Sequence, residues 1–340
     1  MTEAKKTRQI IVSGMRPTGR LQLGNYWGAL KNWVELQDRC ECYFIVVDWH
    51  ALTTSYRDSK NLRSHCREMV LDWLAAGLDP EKCVMFTQSQ VKEHAELHLL
   101  LSMIVPTPWL LRNPTVKEQA REMGLIQDGS DNEVSKIDFG HLGYPVLQAA
   151  DIMLYRGTHV PVGEDQLPHL ELSREIARRF NSIYGEVLPE PQALLTPAPK
   201  VPGIDGRKMS KSYDNSIELG ETAGSLEAKI RRMFTDPAKI RQNDKGHPEG
   251  CVVYAMHKLY SPFAATREQE CRDGAVGCVQ CKKDLAGSME AVIAPFREKR
   301  RQWEARPGAV DEILESGRKK AQAAAEKTMA QVRRAMHLTD

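Results

Sequence analysis

Three stretches of this 340-residue chain carry residue types at spacings that can do chemistry. In the first, Ile10, Ile11 and Val12 make a short apolar run, Gly14, Pro17 and Gly19 interrupt it, and apolar periodicity resumes at about Leu23. That pattern predicts a buried strand, a Gly/Pro loop and a helix N-terminus. Such a unit binds phosphate well, because free backbone N–H groups and the positive end of the helix dipole face one anion. It has neither the Gly-Lys-Ser/Thr of a P-loop nor the Gly-x-Gly-x-x-Gly of a dinucleotide site. The second stretch is the series Cys251-x19-Cys271-x6-Cys278-x2-Cys281. A Cys-x-x-Cys with two further thiols nearby points to a metal site. Structural zinc usually pairs two such knuckles and only one is present, while four thiolates also suit a [4Fe–4S] cluster. The third is Gly206-Arg207-Lys208-Met209-Ser210-Lys211-Ser212, whose lysines alone would ordinarily mark a solvated loop.

These groups need elements to hold them. Cys42 to Val47 predicts a second strand, ending at Asp48-Trp49-His50, and Cys83 to Thr87 a third. Asn61 to Ala76 predicts a helix with Leu62, Cys66, Met69, Val70, Trp73 and Leu74 on one face, and Ala95 to Val105 another. Residues 106–143 lose the rhythm, and their prolines and Gln-Asp-Gly-Ser-Asp-Asn loop at 127–132 predict an insertion with a mobile tip. Alternation resumes over Tyr144–Tyr155, then a strand at His159 to Val162, Gly163-Glu164-Asp165-Gln166, and a helix to Phe180. Strands alternating with helices imply an α/β fold with a doubly wound, Rossmann-like parallel sheet, its ligands beyond the carboxyl ends of the strands. The proline-rich stretch from Gly185 to Gly206 is a natural boundary. Beyond about Ser216 the chain turns helical and charged, with Val310, Ile313, Leu314, Val332 and Met336 as a core-facing stripe.

Composition narrows the classes. At this length two domains are the default. A net charge of +2 gives no general affinity for nucleic acid, so RNA contact would fall to local basic patches such as Arg297–Arg301 or Arg231-Arg232. No apolar run approaches a membrane span, and the N-terminal residues lack the apolar stretch of a signal peptide. The expectation is a cytoplasmic protein, in which Cys40, Cys42, Cys66 and Cys83 are plain thiols.

Lys-Met-Ser-Lys-Ser stands without a mismatch at 208–212, downstream of a strand–loop–helix containing Gln22-Leu23-Gly24-Asn25. The combination resembles class I aminoacyl-tRNA synthetases, whose ATP motifs are a His-Ile-Gly-His-like element and a Lys-Met-Ser-Lys-Ser loop. The segments Pro17–Tyr26, Tyr144-Pro145 with Ala149-Ala150-Asp151, and Gly163–Gln166 come in an order similar to the bacterial tryptophan-specific family, over about residues 10–338. The resemblance implies ATP-dependent activation of L-tryptophan and its transfer to tRNA(Trp). Lys208 and Lys211, with Ser210 and Asn25, would be catalytic: two mobile ammonium groups close over charge building on the pentacovalent phosphate and leaving pyrophosphate. The nucleophile is already an ionised carboxylate, so positioning and electrostatics carry the step.

ATP would lie on Arg16, Pro17, Thr18, Gly24 and Asn25, on Gly163, Glu164 and Asp165, and on Lys208, Met209, Ser210, Lys211 and Ser212, with Val201 offering backbone to adenine and Mg²⁺ accompanying the phosphates. Tryptophan would give its indole N–H to Asp151, bordered by Tyr144, Gln148, His50 and Gly14. The blander roles are a helix cap or salt bridge for Asp151 and an N-cap for Asp165. Arg16 stands where many relatives carry Gln, and Gln148 where Met is common; Gln148 also fits tyrosyl-tRNA synthetase, the alternative specificity. Cys271-x6-Cys278-x2-Cys281-Lys-Lys resembles a subset with a [4Fe–4S] cluster beside the anticodon-binding region, zinc being the alternative. The gap from Cys251 is shorter than in that subset.

The implied layout is a catalytic domain at 1–205 with the 106–143 insertion, a Lys-Met-Ser-Lys-Ser loop at 206–216, and a helical anticodon-binding domain at 217–340 in a homodimer. The rivals are a non-charging paralogue with a binding role and a metal or redox sensor.

Overall fold

The computed structural model describes residues 9–127, 131–195 and 201–340, apart from the side chains at 131, 132 and 212. Five strands, β1 (Ile10–Met15), β2 (Glu41–Val46), β3 (Val84–Thr87), β4 (His159–Val162) and β5 (Gln192–Leu195), form one parallel sheet of order β3-β2-β1-β4-β5. Its central strands are buried on both faces, as parallel sheets require. Phe44 and Val46 join Ile11 and Met85 in one core; Tyr43, Ile45 and Val47 join Val12 and Phe86 in the other.

The helix after β1 is continuous but changes pitch: α1 (Leu23–Asn25), a π turn (Tyr26–Leu30) and α2 (Lys31–Leu36). A π turn inside an α-helix often marks a functional site. Trp33 of α2 stacks on Phe44 at 4.6 Å, and Trp73 meets it edge-on at 5.4 Å. Between β2 and β3 run α3 (Asp48–Ser55) and α4 (Leu62–Ala76), the latter stopped by Gly77 at φ +111°. After β3 comes α5 (Glu93–Ser102).

The 106–143 insertion is more ordered than its polarity predicts. It folds into α6 (Thr107–Arg112), α7 (Pro114–Glu122) and α8 (Asp131–Val134), with a small core of Ala120, Ile126 and Ile137. Part of its expected tip, 128–130, lies outside the described residues. Residues 144–154 belong to a buried helix, α9 (Phe139–Leu154), which Tyr155 ends as C-cap, and α10 (Leu167–Tyr184) links β4 to β5. The proline-rich boundary thus contains a strand: β5 is short, half-exposed and flanked by Pro189 and Pro191, so no apolar run announces it.

The helical half comprises α11 (Ala223–Arg232), α12 (Val252–Tyr260), α13 (Ala264–Asp273), α14 (Cys278–Glu304) and α15 (Ala309–Ala335). Leu285, Met289 and Ile293 of α14 pack into the same core as Trp33 and Trp73. The chain turns at Gly308, φ +84°, and α15 runs back over β3. Val310 and Leu314 join one core while Ala321, Ala325, Met329 and Val332 join the other, as the stripe predicts. Gly317 lies so close to β3 that a Cβ there would sit 1.8 Å from the Met85 carbonyl oxygen.

Candidate active site

The sheet order reverses between β1 and β4, and a cavity of about 580 Å³ opens at the carboxyl ends of those strands. It brings together Gly14, Arg16, Thr18, Gly24 and Asn25 from β1 and the loop and helix after it, His50 from α3, Tyr144, Gln148 and Asp151 from α9, and Gly163 and Asp165 after β4. Gly14 is required by crowding: a Cβ would meet Val47 Cγ1 at 2.6 Å. Gly19 turns the loop at φ +85°, a conformation that side chains resist. Asn25 Oδ1 accepts the Gln22 N–H at 3.1 Å, closing a capping box on α1. Asp165 does not cap α10, whose N-cap is Gln166; it sits in the preceding 3-10 turn and accepts from Gln166 Nε2 at 2.9 Å. Pro17, Glu164 and Val201 do not line the cavity.

Asp151 is the most enclosed charge in the site. His50 Nε2 lies 2.9 Å from Oδ2 and His94 Nδ1 2.6 Å from Oδ1, while Gln88 Nε2 donates to both oxygens at 2.8 Å. Burial alone would raise its pKa, but the His94 and His50 rings outweigh that and hold the carboxyl well below the usual range. His94 Nε2 is in turn 2.6 Å from the Tyr155 hydroxyl. Sequence reasoning found Asp151 and His50 but missed Gln88 and His94. The available signal was position, since Gln88 is the first residue beyond the carboxyl end of β3.

Tyr144 and Gln148 precede Asp151 on the same face of α9. The Tyr144 hydroxyl is 2.9 Å from His169 Nε2, whose Nδ1 is 2.7 Å from Asn113 Nδ2. Burial lowers the His169 pKa to about 4, so the ring is neutral near pH 7.

Lys208, Met209, Ser210 and Lys211 do not line the cavity, but their loop is stitched to the one that does. Lys211 Nζ donates to the Thr18 carbonyl at 2.6 Å, and Gln22 Nε2 to the Met209 carbonyl at 3.2 Å. Backbone bonds Leu23 N to Ile217 O and Leu219 N to Leu21 O continue the seam. Asn215, buried, staples the loop: Oδ1 accepts the Ser210 N–H at 2.8 Å, and Nδ2 donates to Asp205 and to the Lys208 carbonyl. Met209 is buried in the core, Lys208 is exposed, and burial lowers the Lys211 pKa. The Ser212 side chain lies outside the described residues.

Cys251, Cys271, Cys278 and Cys281 converge on a second, small cavity with Lys239 and Arg267. Burial pushes the Cys281 thiol up to about 12. Arg267 is 7% exposed and its Nε has no partner. Among the described residues no three His, Cys, Asp or Glu side chains are close enough to hold a metal ion as they stand.

The family model "tRNA synthetases class I (W and Y)" matches residues 4–294. The chain belongs to that family. It is 50% identical to the tryptophan–tRNA ligase of Thermotoga maritima and 47% identical to that of Aquifex aeolicus, each alignment covering 96% of this chain and 99% of the relative. Among solved structures it is similar to tryptophanyl-tRNA synthetase from Campylobacter jejuni complexed with ADP and tryptophan, with a TM-score of 0.84 at 30% identity, covering 97% of this chain and all of that one. The Rossmann-like class I synthetase fold expected from the sequence is the one observed. It serves an enzyme of tRNA aminoacylation.

Proposed function

We infer that the chain is a tryptophan–tRNA ligase, forming tryptophanyl-adenylate and diphosphate from L-tryptophan and ATP, then acylating the terminal ribose of tRNA(Trp). The observation that carries the reading is an enclosed, ionised Asp151 in the switch-point cavity of a chain half identical to a tryptophan–tRNA ligase. A carboxylate offers roughly four lone-pair sites. Three protein donors already make four contacts with Asp151, Gln88 Nε2 bridging both oxygens, and the indole N–H would take over one half of that bridge. A substrate without that donor forfeits the bond in a site that water cannot easily refill.

ATP occupies the β1–α1 loop and the turn after β4, with Mg²⁺ on its phosphates. Lys211 rests on a neutral carbonyl, a partner it can exchange for phosphate oxygen, and exposed Lys208 can close from the same loop. Asn25 and Ser210 complete the catalytic set. Tryptophan-dependent exchange of pyrophosphate into ATP tests the reading. Exchange driven by tyrosine instead, or by no amino acid, overturns it, and charging of bulk tRNA separates the ligase from a non-charging paralogue.

The four cysteines are proposed to hold a [4Fe–4S] cluster, with zinc the alternative. Four thiols around one cavity supply the donor set, and Lys239 and the unpaired Arg267 Nε suit an anionic group. When bound, the cluster would cross-link the starts of α12 and α14 to the end of α13, separate from the ATP chemistry. Visible absorbance of anaerobically purified protein, with iron and zinc analysis, decides between them. A homodimer is also proposed. Leu99, Met103 and Phe139, on or beside the packed helices α5 and α9, are 57%, 67% and 73% exposed, an apolar surface suited to a second copy. The cytoplasm is the proposed location; among the described residues no helix is long and apolar enough to cross a membrane.

A further inference from the structure

Two of the side chains that grip Asp151 arrive on separate segments: His50 on α3, and Gln88 on the 3-10 turn Gln88–Gln90 that follows β3. Asp48 joins those segments. It is the first residue of α3 and 8% exposed, and its Oδ1 accepts two backbone N–H groups at 3.0 Å each. One comes from Trp49, the other from Ser89, 41 positions away. The first bond seats the carboxylate on the helix start that carries His50; the second holds the backbone beside Gln88. Lys92 closes the outer side, its Nζ donating to the Ser89 carbonyl at 2.5 Å and lying 5.5 Å from the Trp49 ring centroid.

Gln88 depends on that support. Its Nε2 is 2.8 Å from both Asp151 oxygens, while its buried Oε1 has no partner among the described residues. No hydrogen bond other than those to Asp151 therefore orients the amide, and its reach is set by packing and by the turn that Asp48 holds. A displaced turn carries the donor off Asp151 with no second bond to retain it.

We propose that Asp48 is a positioning residue for amino-acid recognition: it clamps the turn after β3 to the start of α3, delivers Gln88 and His50 to Asp151 together, and so fixes the carboxylate that meets the indole N–H. The inference rests on the reading of the chain as a tryptophan-specific ligase. Asp48 does not line the cavity, and its effect passes through Asp151. A recognition group holds its geometry only as well as the residues behind it do. Without the clamp the carboxylate can turn, and water competes for the place of the indole N–H.

Asp48→Ala removes the clamp. Asp48→Asn is the conservative variant, because two donors converge on Oδ1 and an amide keeps its oxygen there. The readout, in ATP–pyrophosphate exchange, is kcat/KM for tryptophan divided by that for its analogue with sulfur in place of the indole N–H. Asp48→Ala should lower this ratio by about tenfold, the lower end of what a hydrogen bond to a charged group is worth. The KM for ATP should not change, and Asp48→Asn should restore the ratio. A merely structural role would lower Tm and leave the ratio alone; that result in folded Asp48→Ala overturns the proposal. Should Asp48→Ala fail to fold, the wild-type protein decides by linkage, since whatever the clamp does for the N–H, the N–H does for the clamp. Saturating tryptophan should slow hydrogen exchange at the Ser89 amide severalfold more than the saturating analogue does, and equal protection overturns the proposal. Wild-type pyrophosphate exchange that ignores tryptophan overturns the functional reading and this inference with it. An unchanged ratio beside tryptophan-dependent exchange overturns this inference alone.

Discussion

Asp151 stays ionised in a nearly closed site because three side chains from three different segments donate to it. Replacing it with asparagine turns one oxygen into a donor facing donors. Asp151→Asn is expected to cost about 2–4 kcal/mol of stability, measured by denaturant unfolding, since charged hydrogen bonds and a buried pair are broken together. It should also lower kcat/KM for tryptophan by about a hundredfold or more, the penalty of a recognition site left mispaired. At this scale the sequence was half legible. Asp151 and Tyr144 stand in a segment with a recognisable order, whereas Gln88, His94 and Asn113 are ordinary polar residues until folding brings partners dozens of positions away beside them. His94 in particular falls just before the helix expected at Ala95 to Val105, although α5 starts at Glu93 and includes it.

The seam between the 208–212 loop and the β1–α1 loop is a property of elements. Lys211→Ala removes a side-chain cation that donates across it to Thr18. Exchange kcat should fall by about 10²–10³, the usual cost of losing one preorganised charge stabiliser, with the KM for tryptophan changed only severalfold. A second seam ties α14 to α4 and to the same loop. Arg300, 3% exposed, pairs with Asp72 and Glu68, and the other Asp72 oxygen accepts the Leu21 N–H at 2.5 Å. Burial raises the Asp72 pKa to about 6 despite Arg300. Arg300→Met strands that carboxylate and should cost about 3–5 kcal/mol. The sign with pH is fixed: a carboxyl whose folded pKa is raised is least costly when protonated, and the cost grows as pH rises through that value. The Tm deficit of Arg300→Met should therefore be larger at about pH 8 than at about pH 5.5; an equal or reversed deficit would count against the pairing. Continuous apolar runs made β1, β2, β3 and β4 legible as elements. β5 is four half-exposed residues, α6 is six residues between Pro106 and Pro114, and α7 buries only Val116 and Ala120, so none of them stands out from loops.

Across the whole molecule, the thiol cavity and the sheet cavity share no lining residue. Cys278→Ala should leave tryptophan-dependent exchange largely intact while tRNA charging falls; equal loss of both would argue that the cysteine group supports the ATP site instead. The contact of α15 with β3 is equally global. Gly317→Ala forces helix and strand apart, and overpacking of this kind costs about 1–3 kcal/mol, to be read as a lower Tm.

That contact also sets an order of assembly on the ribosome. Phe86 and its neighbours on β3 emerge long before the Ala321–Val332 surface that covers them, a wait on the order of ten seconds or more at ordinary elongation rates. Throughout that interval the β3 edge of the nascent sheet lacks the cover that α15 gives it, although α5, α9 and α10 have already been made. Chains stalled before α15 should thus be found with chaperones or in aggregates, and pausing within the α14 codons should lower the soluble yield of an otherwise unaltered polypeptide.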